Sequence, residues 1–269
     1  DILTLQESIN RTRQRVWAQP PKGFLAEAYI DVEGTIAGTL GECKGGMDIS
    51  YKGEWGYAPL IVSLANTHEV LYTVNRPGNV CRHQGSVEWI DRALELVTPH
   101  AGFVTVRGDT DFTHTAHLDR WDAQGTKFIL GMDAHAKAVG LAAARPAGDW
   151  HPLARAPKYE ILTEPRTKPV NVKEQIVKER GSQNLVLKGE DLAEFAYQPG
   201  KCAKSYRLVV VRKNLSIQRG EDELFDEIRY FFYITNRADL TVEEVVELAN
   251  QRCNQENVIA QLKGAVQAM

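Results

Sequence analysis

The sequence predicts an α/β protein: a mixed β-sheet flanked by helices and interrupted by a β-rich insertion before the last helix. Three observations carry that expectation. Apolar runs separated by turn residues open the chain, helical and extended apolar periods then alternate, and two dense aromatic and β-branched runs precede a capped C-terminal helix. With 269 residues the chain is long enough for one large domain, or for a domain carrying an inserted module.

Residues 1–22 read as a short polar helix closed by Gln19-Pro20-Pro21. Phe24 to Val32 reads as a strand ending at Gly34, and Ala58–Leu64 and Val70–Asn75 as two more. Turn residues between them favour antiparallel hairpins. Ser86–Leu96 has helical apolar spacing through Val87, Ile90 and Leu94, and the strand Phe103–Arg107 follows, ending in Gly108-Asp109. A short helix around Leu118–Ala123 and a strand Phe128–Leu130 complete this part. Three antiparallel strands followed by helix, strand, helix and strand is the order of the RNase H-like fold.

From about residue 143 the composition shifts. Residues 145–188 are rich in Pro and in cations (Arg155, Lys158, Arg166, Lys168, Lys173, Lys178, Arg180), and strands are expected at Tyr206–Val211 and Tyr230–Ile234. Thr241-x-x-Glu244 is a capping box, and Val245, Leu248, Ile259 and Leu262 extend one helix to about residue 268. The expected division is therefore 1–142 and 236–269 for the two parts of the core, with 143–235 as a β-rich insertion bearing a basic surface.

Composition excludes several classes. The chain is 43% hydrophobic and 25% charged, ordinary for a protein with a packed core. No apolar run approaches membrane-spanning length, and the N-terminus has no signal-peptide pattern. Cys43, Cys81, Cys202 and Cys253 lie far apart, so neither a zinc site nor a disulfide framework is indicated and reduced core thiols are expected. The seven histidines lack metalloprotease spacing, and Gly45-Gly46 and Gly53 lack phosphate-loop spacing. A formal net charge of −3 decides nothing about nucleic acid. The chain starts without Met and stops just past a helical pattern, which reads as a fragment of a longer protein.

The carboxylates at strand ends are the candidate chemistry. Asp31 ends the first strand and Asp109 the fourth, and these strands are neighbours in an RNase H-like sheet. Two acids side by side repel unless a cation lies between them. Either could instead be an ordinary turn residue. On a continuous helix at about 100° per residue, Arg252, Glu256 and Lys263 share a stripe about 40° wide; a solvated face with alternating charge gives the same pattern.

Arg252-x3-Glu256-x6-Lys263, the Ile30-Asp31 strand, the stretch Gly108-Asp109-Thr110-Asp111-Phe112 and the run Cys253-Asn254-Gln255-Glu256-Asn257 together resemble the DDE-type insertion-sequence transposases. The resemblance is to the branch marked by Tyr-x2-Arg-x3-Glu-x6-Lys, with Ala249 at the Tyr position, and it covers nearly the whole chain. It implies an RNase H-like core in which Asp31, Asp109 and Glu256 bind two Mg2+ ions, replaceable by Mn2+. By the same resemblance Arg252 and Lys263 contact transposon-end phosphates. The partners implied are transposon-end and target DNA, with the chain acting as a homodimer on them in the bacterial cytoplasm at the nucleoid. The implied activity is cleavage at the element ends followed by strand transfer.

Weaker candidates stand beside these. Asp111 could replace Asp109 as ligand. Glu33 shares the face of Asp31 only if the strand stays regular, and is expected to lie behind the metal site. Asp133 reads as a turn residue and Trp150 as a packing residue rather than a base-stacking one. Two other functions remain in view: an inactive DNA-binding and assembly module derived from a transposase, and an RNase H-like nuclease that cuts without joining.

Overall fold

A computed structural model describes residues 1–21, 24–155, 169–220, 222–252 and 254–264. Two compact units are present: residues 1–133, 195–208 and 233–269 form the first, and residues 134–194 and 209–232 the second.

The first unit begins with α1 (Ile2–Trp17), capped by the Asp1 carboxylate, which accepts from the Leu3 and Thr4 amides. Then come β1 (Glu27–Gly34) and three short strands, β2 (Ala37–Gly38), β3 (Asp48–Ile49) and β4 (Trp55–Tyr57), which form a small sheet of their own in the order β2-β4-β3. Next are β5 (Leu60–Leu64) and β6 (Glu69–Val74), then α2 (Ser86–Val97) and β7 (Phe103–Gly108). The run closes with α3 (Thr115–Ala123) and β8 (Lys127–Met132). The main sheet runs β6-β5-β1-β7-β8, with β1 antiparallel to β5 and parallel to β7, and β7 parallel to β8. That is the strand order expected of an RNase H-like core, in a mixed sheet flanked by helices.

The central strands are central because their sequences bury both ways. All five residues of β5 are buried, and Ala28, Ile30 and Val32 of β1 and Val106 of β7 are fully enclosed on one face. The edge strand β6 is covered by α1, whose amides do for it what a further strand would do. Gln6 donates to Thr73 O at 2.9 Å and accepts from Thr73 N at 3.0 Å, and Asn10 donates to Leu71 O at 3.2 Å. A helix whose sequence looks merely polar is thus seated by its polar side chains.

The second unit contains α4 (Ala136–Ala143), β9 (His151–Pro152), α5 (Val172–Arg180) and most of β10 (Gln183–Tyr197), β11 (Tyr206–Arg219) and β12 (Asp222–Thr235), ordered β12-β11-β10-β9. Both expected strands are present and longer than the sequence suggests, while β10, α4 and α5 were not anticipated. β10 carries Gly189 and the acids Glu190 and Asp191 in its middle, which disguises it. Arg155 and Lys213 pair with Glu190, and Arg212 pairs with Asp191, so those acids are neutralised in place. Trp150 is half-buried under the Arg212 guanidinium, 4.1 Å from its ring centre, which is a packing arrangement. Lys158, Arg166 and Lys168 lie outside the described residues.

The last segment departs from expectation. The capping box holds, with the Thr241 amide donating to Glu244 Oε2 at 2.7 Å and the Glu244 amide to Thr241 Oγ1 at 3.2 Å. The described residues of this segment form α6 (Val242–Gln251), with Arg252 as its C-cap, and α7 (Asn254–Lys263), and residues 265–269, where the expected helix ends, lie outside the described ones. The cysteines also depart: Cys43 and Cys81 are exposed, Cys202 alone of the described three is buried, and Cys253 lies outside the described residues.

Candidate active site

One face of β1 and β7 is polar although the strands are interior. On β1 the side chains of Glu27, Tyr29, Asp31 and Glu33 alternate with the apolar Ala28, Ile30 and Val32. In the parallel register Tyr29 is level with Thr105 and Asp31 with Arg107. The polar residues of the two strands therefore meet as a ladder, covered by α6 and α7.

At the bottom of the ladder Arg237 and Thr105 both hydrogen-bond Glu27, and Arg237 also pairs with Asp239 at 2.7 Å. One rung up, Arg107 takes Asp31 with both nitrogens of its fork: Nε to Oδ1 at 2.7 Å and Nη2 to Oδ2 at 2.8 Å. Its Nη1 donates to Leu248 O at 2.9 Å, and the guanidinium lies 4.7 Å from the centre of the Tyr29 ring. The pair is sealed, with side chains 3% and 2% exposed. Burial lifts the Asp31 carboxyl above its ordinary value, and Arg107 opposes that lift. Asp31, expected as a metal ligand, here has both oxygens occupied and no opening to solvent.

At the open end of the ladder are Glu33 and Asp109. β1 stays regular, so Glu33 shares the face of Asp31 and stands one rung closer to the strand end than the expectation of a supporting role allowed. Asp109 directly follows Gly108, the register partner of Val32, and its Oδ1 accepts from the Asp111 amide at 3.0 Å, starting the turn Thr110–Phe112. That turn is packed tightly: a Cβ on Gly108 would stand 3.0 Å from Phe112, which is fully buried. Both carboxyls are raised, chiefly by burial; Asp109 adds to the rise in Glu33, and Asp111 adds to that in Asp109. Arg252 opposes the rise in both, and its Nη1 donates to Glu33. Asp111 itself is exposed and pairs with Arg82 at 3.4 Å, while Asp133 is exposed beyond β8.

Glu256 is not joined to this group. On α7 the residue turned inward is its neighbour Gln255, 2% exposed, whose Nε2 donates to Asp31 O and Ile61 O, each at 3.3 Å. Glu256 is exposed. Lys263 lies two turns further along the same helix face and donates to Ile36 O, just past the end of β1, so that face looks toward the segment following Glu33. Among the described residues no three His, Cys, Asp or Glu side chains are placed to hold a metal ion. Asp31 is not brought together with Asp109 and Glu256 as expected, because Arg107 holds both of its oxygens and Glu256 is exposed on α7.

Sequence reasoning missed Arg107 and underrated Glu33. The available signal was parity: Arg107 is a lone cation in an apolar strand, two residues before Asp109 and hence on the same face. No helix of the described residues is long and apolar enough to cross a membrane.

The sequence matches the family described as transposase DDE domain group 1 over residues 15–269. No curated protein matches it. Among solved structures, the cryo-EM structure of a piggyBac transposase synaptic complex with hairpin DNA is similar at 13% identity with a TM-score of 0.44, covering 87% of this chain and 40% of that one.

Proposed function

The chain belongs to the transposase DDE domain group 1 family, and from that premise we propose that it is a transposase catalytic domain that cuts phosphodiester bonds at the ends of a mobile DNA element and joins the freed 3′-hydroxyl to target DNA. The observation that carries this reading is the pair Glu33 and Asp109 at adjacent strand ends, each with a raised carboxyl and a cation already drawn to it. Like-charged carboxylates crowded at the rim of a polar face, offering hard oxygen donors, suit divalent metal.

The proposed ligand set is Glu33, Asp109 and Glu256, with Glu33 in the role expected of Asp31. Two bound Mg2+ ions, or Mn2+ in their place, would supply Lewis-acid stabilisation of the charge that develops on the attacked phosphate. The protein's own contributions are distinct. Arg107 and Asp31, locked together, hold β1 and β7 in register so that Glu33 and Asp109 stay side by side. The turn at Asp109 fixes its carboxylate, and Gln255 anchors α7 across β1 and β5. Rigid strands and a pinned helix keep the acids in place. Arg252 and Lys263 would contact end phosphates, and transposon-end and target DNA would be bound by a homodimer, in the bacterial cytoplasm at the nucleoid.

The test compares conservative variants in a cleavage assay on a duplex carrying the element end, in Mg2+. Glu33→Gln, Asp109→Asn and Glu256→Gln should each lose cleavage by about 100-fold or more while unfolding near the wild-type temperature. Asp31→Asn should instead lose thermal stability. Full cleavage by Glu33→Gln overturns the ligand set. End binding without cleavage by the wild type favours an assembly module instead.

A further inference from the structure

Of the three arginine–acid pairs on this polar face, the two nearest the strand ends are built differently. Arg107 is buried, bidentate on Asp31 and fastened to Leu248 O. Arg252 donates to Glu33 through Nη1, and the two side chains are 22% and 14% exposed. Its backbone is the C-cap of α6, two residues before α7 begins at Asn254. Asp109 and Asp31 are near enough to stabilise its charge as well. A sealed bidentate pair leaves its partners unsolvated when broken, whereas a single contact with some access to water costs less to open, the more so when a new anion takes over the arginine.

We propose that Arg252 is a resident counter-cation that closes the Glu33–Asp109 pair to divalent metal in the DNA-free chain, and that it must withdraw from Glu33 before metal loads. This rests on the metal-dependent reading above. A guanidinium cannot lose its proton, so it competes with a divalent cation for the same carboxylate as long as it stays in place. An end phosphate reached by Arg252 would take over its charge and leave Glu33 open, so that DNA engagement and metal loading favour one another.

The experiment titrates the DNA-free chain with Mn2+, reading free ion by electron paramagnetic resonance and the unfolding temperature alongside. Arg252→Gln keeps an amide that can still bond Glu33 but removes the charge. It should bind Mn2+ on the order of tenfold more tightly than wild type, and Mn2+ should raise its unfolding temperature by more. Arg252→Lys, with charge retained, should resemble wild type, and Glu33→Gln should lose binding in either background. Equal affinity of wild type and Arg252→Gln, with Glu33→Gln still impaired, overturns the counter-cation role and leaves the metal reading standing. Binding unaffected by Glu33→Gln, or absent from every protein, overturns the metal reading itself. An Arg252→Gln chain that folds only when Mn2+ is added supports the proposal; one that stays unfolded with Mn2+ makes Arg252 a structural residue and overturns it.

Discussion

Replacing Arg107 with Met keeps most of the side-chain stem and removes the cation. Asp31 is then left 2% exposed with neither of its two short N–H···O bonds, and Leu248 O loses its donor. Removing one partner of a buried ion pair costs about 3–5 kcal/mol while the other stays charged. The carboxyl can escape that cost by taking up a proton, and each pH unit of that escape is worth about 1.4 kcal/mol. Burial already raises the Asp31 carboxyl with Arg107 present, and without Arg107 the rise is larger. A folded acid that holds its proton to higher pH than the unfolded chain makes stability fall as pH rises from the unfolded value, about 3.9, to the folded one. The deficit of Arg107→Met relative to wild type should therefore be smallest near pH 5 and largest near pH 8, by urea unfolding followed through tryptophan fluorescence. Arg107→Leu with Asp31→Leu should recover most of the loss, since apolar replacement of a buried pair is often neutral. A deficit below about 1 kcal/mol at pH 8, or one unchanged with pH, would refute the account of Asp31 as a sealed structural acid.

His114, half-buried beside His83, His117 and Lys201 with Ser86 Oγ at 2.7 Å from its Nε2, is pushed down to about 4, chiefly by that burial. It is neutral when folded, so its stability contribution is present above the unfolded value, about 6.5, and is lost as pH falls toward the folded one. His114→Gln should flatten that part of the stability profile, and an NMR titration midpoint above 6 would contradict the burial argument. A Cβ on Gly78 would strike the carbonyl oxygens of Asp48 and Gly56, so Gly78→Ala should destabilise the chain by about 1–3 kcal/mol in the same urea assay, and a neutral effect would mean that the small sheet yields freely.

The sequence by itself determined the core's elements and their order. The run Leu60–Leu64, apolar apart from Ser63 and bounded by turn residues, reads as an enclosed strand, the period of Ile90 and Leu94 as a buried helix face, and the Thr241–Glu244 box as a helix start. These are local or periodic signals, and burial enforces them wherever the chain folds. The placement of Asp109 at a strand end was legible for the same reason, and β10 was not, because its central acids are compensated by Arg155, Arg212 and Lys213 from distant positions.

Only the tertiary structure decided which acid is sealed and which is open. Asp31 and Glu33 are two residues apart on one strand, chemically alike and on one face, and the sequence reading favours Asp31 as the ligand. The parallel register of β1 on β7 sets Arg107 level with Asp31 and leaves Glu33 one rung beyond it, beside Asp109. Likewise the stripe of Arg252, Glu256 and Lys263 assumed one helix, whereas the structure has two, and on the second Gln255 is buried while Glu256 is exposed. Register and helix phase are relations between segments far apart in the chain, fixed by packing and by pairing of buried charges, so no local pattern of residues encodes them.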